Sequence, residues 1–74
     1  MNIKVVRLYV NTSSKGVDLI SRLVVKVADL DKKAKLTTGE QEKLAKYRQE
    51  IMEYTASVRN DMVQIDHNLA DTAR

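Results

Sequence analysis

From Glu40 to Arg74, thirty-five residues pass without a glycine or a proline, and apolar side chains recur among them every three or four positions. The ladder Leu44, Tyr47, Ile51, Tyr54, Val58, Met62, Ile65, Leu69 and Thr72 steps by 3-4-3-4-4-3-4-3, a heptad pattern with one shift of phase near Val58. Only a long helix satisfies that spacing, and the segment 38–73 is expected to form one. A smaller stripe, Ala45, Met52, Ala56, Val63 and Ala70, lies on another side. A helix with two apolar stripes has two sets of neighbours.

The start of this helix is marked by "LTTGEQEKL", residues 36–44. Thr37 followed three residues later by Glu40 forms a capping box, and Thr38 with Gln41 offers the same pattern one residue on. Gly39 and the threonines permit a reversal, so an earlier helix should end here and fold back. That earlier helix is expected over 14–35, its regular part from Val17 to Lys35. Val17, Ile20, Val24, Val27 and Leu30 supply the core stripe, widened by Leu19, Leu23 and Ala34. The pairs Asp18–Arg22, Asp29–Lys33 and Asp31–Lys35 mark its solvated side in the favourable acid-first order.

Residues 2–11, "NIKVVRLYVN", read differently. Ile3, Val5, Val6, Leu8, Tyr9 and Val10 are β-branched, aromatic or aliphatic, and they suit a pleated surface. A helix is the competing reading, since a short apolar run is ambiguous by period. "NTSSKG" (11–16) then serves as a turn, with Ser13 or Ser14 capping the next helix. It lacks the spaced glycines and Lys-Ser/Thr ending of a phosphate-binding P-loop. The expected fold is therefore mainly α: an N-terminal strand, then an antiparallel helical hairpin with a long second helix, in one small domain spanning 1–74.

Lengths give this arrangement a consequence. At 1.5 Å per residue the second helix reaches about 50 Å and the first about 30 Å. The hairpin then leaves Met62, Ile65 and Leu69 uncovered, and the strand lacks a partner for its edge. Both point to oligomerisation, with Val6, Leu8, Val10, Val58, Met62, Ile65 and Leu69 as the expected interface. A chain of 74 residues without cysteine has few other ways to reinforce a small core.

Composition narrows function by exclusion. With no cysteine and one histidine, thiolate zinc sites and histidine dyads are ruled out. His67 and Asp71 have a ligand-like i,i+4 spacing, but no third ligand is placed by sequence and a surface ion pair accounts for them. Tyr47 and Tyr54 lie on the main stripe, where packing is their natural role. No catalytic residues, metal site or cofactor are expected, and no enzyme activity. Lys4 and Arg7 interrupt the first apolar stretch, so no secretory signal is read there, and no run approaches a membrane span. The expected location is the cytoplasm, without membrane attachment.

Charge is unevenly spread. Residues 1–48 hold eleven of the thirteen Lys/Arg and five of the ten Asp/Glu, a balance of +6, and residues 49–74 carry −3. Lys32, Lys33, Lys35, Lys43, Lys46 and Arg48 gather around the reversal, where they could contact phosphates. Asp29, Asp31, Glu40 and Glu42 are interleaved with them, and no aromatic residue is placed to stack bases. The expectation is an oligomeric protein-interaction module of the adaptor, inhibitor or assembly-factor type, binding itself and another protein. A nucleic-acid-binding oligomer using the basic turn is the alternative.

Overall fold

A computed structural model describes residues 3–72 and contains two α-helices, α1 (Ile3–Asp31) and α2 (Thr38–Thr72), joined by residues 32–37. They pack side by side as an antiparallel hairpin 57 Å long and 14 Å in each cross direction between Cα atoms. Among the described residues there is no strand.

The N-terminal segment is thus helical where a strand was expected. The physical reason is the period that continues through it. Val6, Tyr9, Ser13, Gly16, Ile20, Leu23, Val27 and Leu30 follow one another by alternating steps of three and four, and every one is buried or half-buried. Lys4, Arg7 and Asn11 point to solvent. β-Branched residues disfavour a helix by only a few tenths of a kcal/mol each, and a continuous packed seam outweighs that. A helix also satisfies its own backbone groups, which a lone strand cannot do. Asn2 of the expected strand and Ala73 of the expected second helix lie outside the described residues.

"NTSSKG" is correspondingly helix interior, with neither turn nor cap. Thr12 Oγ1 donates to the Leu8 carbonyl at 2.9 Å and buried Ser13 donates through Oγ to the Val10 carbonyl at 3.0 Å. Back-bonding of this kind lets hydroxyls sit inside a helix without an external partner.

α1 ends at Asp31, four residues before the expected position. Lys32 N–H donates to the Ala28 carbonyl at 3.2 Å, and Lys33 N–H tightens the end by donating to the Leu30 carbonyl at 3.1 Å. The capping box of α2 forms as its sequence implies. Glu40 N–H donates to Thr37 Oγ1 at 3.2 Å, and Thr37 N–H donates to Glu40 Oε1 at 3.1 Å. Gly39 lies in the first turn of α2, and no described glycine has a positive φ, so the reversal does not use glycine's extra freedom. Leu36 in the connection is half-buried.

With 29 residues in α1 and 35 in α2, the helices are nearly matched, about 43 Å against about 52 Å. The expected uncovered C-terminal half of α2 is covered after all, because the first turns of α1 run alongside it. This removes the length mismatch as an argument for a second chain.

Candidate interaction surface

Two contacts fix how the helices face each other. A Cβ placed on Gly16 would lie 2.7 Å from Val58 Cγ2, and Lys26 Nζ stands 5.4 Å from the centroid of the Tyr47 ring. Residue numbers of facing positions therefore add to about 74. On α2 the matching seam is Leu44, Tyr47, Ile51, Tyr54, Val58, Asp61, Ile65 and Asn68, all buried or half-buried. This is an unbroken 3-4 alternation. The phase shift expected at Val58 does not occur, because the seam takes Asp61 and Asn68 and passes over Met62 and Leu69.

The expected interface residues consequently part company. Val6 is 8% exposed and packs within the hairpin, as do half-buried Val58 and Ile65. Val10, Met62 and Leu69 remain exposed. Leu8 is exposed as well, but two residues from Val10 on a helix it faces away from it.

Most of the exposed apolar residues are not scattered, Leu8, Leu19, Val25 and Val63 standing apart from the rest. On α1, Ile3, Val10, Val17 and Val24 recur every seven residues and are 44–50% exposed. Three of them follow directly after seam residues Tyr9, Gly16 and Leu23, so each is turned about 100° to one side of the seam. On α2, Met62 and Leu69 directly follow Asp61 and Asn68, and Thr55 and Arg48 complete that column. Since α2 runs the opposite way, its forward rotation brings this column to the same side of the hairpin. A shallow groove lined by Ile51, Met52, Thr55, Ala56 and Arg59 opens on that side of α2. One flank of the hairpin is thus apolar and built from both helices. The other carries Lys26, Lys33, Lys43, Lys46, Glu50 and Glu53, with Leu8 and Leu19 standing among them.

Beneath this flank the seam holds a polar layer. The offset that sets Gly16 on Val58 sets Ser13 across from Asp61 one turn further on. Each is 5% exposed, and Asp61 Oδ2 has no hydrogen-bond partner. A buried polar group in an apolar seam lowers stability and fixes register. Slipped by one heptad, Asp61 would face Val6 or Ile20.

The basic residues at the turn are divided: Lys33 and Lys43 line one groove with Lys26 and Tyr47, where Asp29 and Glu40 stand among them, and the rest lie elsewhere or beside it. Lys33 Nζ is clasped to Glu40 Oε2 across the turn, and this contact with the cap hydrogen bond holds the Glu40 carboxyl below its ordinary 4.5. Lys32 Nζ lies 3.9 Å from Asp29. Lys35 is exposed in the turn, while Lys43 and Lys46 fall on the polar flank and Arg48 on the apolar one. For the expected His67–Asp71 pair, the Asp71 side chain lies outside the described residues. Among the described residues no group of three or more His, Asp or Glu is placed to hold a metal, and no helix is long and apolar enough to cross a membrane. Comparisons with protein-family models, with curated proteins and with solved structures found no match.

Proposed function

We propose that the chain is a small protein-interaction module that acts by docking its apolar flank on helical protein surfaces, with no catalysis of its own. The observation carrying this reading is that flank: six apolar side chains from two helices, all on one side, each 44–53% exposed. A contiguous apolar strip of this kind marks an interaction site in a small protein. Helical heptad spacing along it suits a helix laid alongside, read through anchors seven residues apart. The basic turn supports nucleic-acid binding less well. Two of its lysines are paired with acids, and Arg48 lies on the flank opposite Lys43 and Lys46.

Introducing Val10→Lys and Val17→Lys together tests the reading. Both positions are exposed, so helicity by circular dichroism should persist. Affinity purification of the tagged chain from the native host should recover associated protein, untagged copies of the chain included, with the wild type and lose it with the variant. Equal recovery with both would sink the proposal.

A further inference from the structure

The occupant of the apolar flank can be named from the pattern of residues across it. Resting on the interaction-module reading, we propose that it is a second copy of this chain, packed flank to flank in a two-fold four-helix bundle with the two turns at opposite ends.

The isolated hairpin leaves much uncovered. Its surface is 5882 Å², against about 4,600 Å² for a compact monomer of its mass. The excess, about 1,300 Å², is more than the roughly 800 Å² each partner covers in a standard interface. Among the described residues only Val6 and Leu23 of the apolar side chains are buried, at 8% and 7% exposure.

The flank of α1 runs Ile3, Arg7, Val10, Ser14, Val17, Ser21, Val24 and Ala28 by steps of four and three, so beyond Arg7 it alternates large and small. Laid antiparallel on itself, such a helix sets a large residue against a small one at three levels, Ile3 on Ala28, Val10 on Ser21 and Val17 on Ser14, and sets Val24 against the aliphatic stem of Arg7 at the ends. That interdigitation is how well-packed layers fill space. These pairs place the two-fold axis between Lys15 and Gly16.

α2 gives its own alignment independently. Antiparallel to itself on the same flank, it pairs Met62 with Met52, Leu69 with Ala45, and Arg48 with Asp66 of the other copy. Its axis falls at Ser57. Gly16 packs on Val58, so the two axes lie at one level within about a turn of helix and a single two-fold satisfies both. The Arg48–Asp66 pairs occur twice and bring opposite charges together at the rim. Opposed turns also keep the basic tips apart, where the same-end arrangement would set them side by side.

Light scattering coupled to size exclusion at micromolar concentration is expected to give twice 8.4 kDa. Arg48→Asp should raise the dimer dissociation constant about tenfold or more, and adding Asp66→Arg should restore it, since both residues are exposed and the hairpin does not depend on them. The cysteine-free chain accepts a single spin label through Lys35→Cys, and the two labels should lie about a molecular length apart, 57 Å. A wild-type monomer overturns the second copy as occupant, and the host capture experiment still judges the module reading separately. Labels close together, or a charge swap that fails to rescue the dimer, overturn the opposed-turn arrangement.

Discussion

Gly16 and Val58 meet across the two helices, and no side chain fits between them: a Cβ on Gly16 would come within 2.7 Å of Val58 Cγ2. Valine in a helix is held to one rotamer, so the methyl cannot swing aside. Gly16→Ala gains up to about 1 kcal/mol of helix propensity and meets an overpacking cost of about 1–3 kcal/mol. The expected net effect is a loss of about 1 kcal/mol in chemical denaturation. In a Val58→Ala background the methyl is gone, and the same change should stabilise. A double-mutant cycle with no coupling between the two positions would contradict this packing.

Asp61 supplies a second test. Its carboxylate is buried with one oxygen unpartnered, an arrangement that costs about 1–3 kcal/mol. Asp61→Leu should therefore raise thermal stability. The same change extends the apolar seam and removes the group that penalises slippage by a heptad. Amide spectra of the variant should show more than one set of peaks for the residues around Ser13. A variant less stable than the wild type would mean that the polar layer is not a net cost.

The turn makes stability depend on pH in a predictable direction. Contact with Lys33 and the Thr37 cap lower the folded-state pKa of Glu40 below its ordinary 4.5. A group depressed in this way contributes stability that is fully present above the unfolded value and disappears as pH falls through the folded one. Glu40→Gln retains a capping-box partner but has no charge to lose. The thermal midpoint of the wild type should converge on that of Glu40→Gln as pH drops below 4.5, with a wider gap at pH 7. A constant gap across that range would show that the clasp carries no charge-dependent energy.

Binding of duplex DNA or RNA is expected to be undetectable at about 50 mM salt, where electrostatic attraction is little screened. Fluorescence anisotropy with a labelled duplex is sufficient. Should binding appear, its salt slope would count the phosphates contacted, at about 0.9 per phosphate on DNA. Replacing Lys32, Lys33, Lys35 and Lys43 with glutamine would then locate it at the turn.

The parts of this fold readable from sequence are those with a local physical signal. Thr37 and Glu40 announce the start of α2 through side-chain and backbone groups only three residues apart, and the cap is formed as read. The first helix was obscured because Ser13 and Gly16 look like punctuation. Their roles depend on residues far along the chain, Asp61 and Val58, which no local pattern reveals. The same long-range relation decides the flank. Met62 and Leu69 look like seam residues until Asp61 and Asn68 are seen to hold the seam, and Val10 and Val17 join them only once α1 reaches back to Ile3. A strict seven-residue count from Val6 to Leu30, accepting a serine and a glycine as core positions, was the available clue.

A six-residue connection fastened by Thr37, Glu40 and Lys33 also sets the order of events as the chain folds. Closing so short a loop carries little entropic penalty, and each further contact along the seam then joins residues already near each other. The hairpin should zip from Leu30 and Leu44 towards Val6 and Asn68, and fray in reverse. Amide hydrogen exchange would register this as protection that declines with distance from the turn. The steepest drop should fall where the zipper must pass the Ser13–Asp61 layer, leaving the open end the shortest-lived part of the molecule.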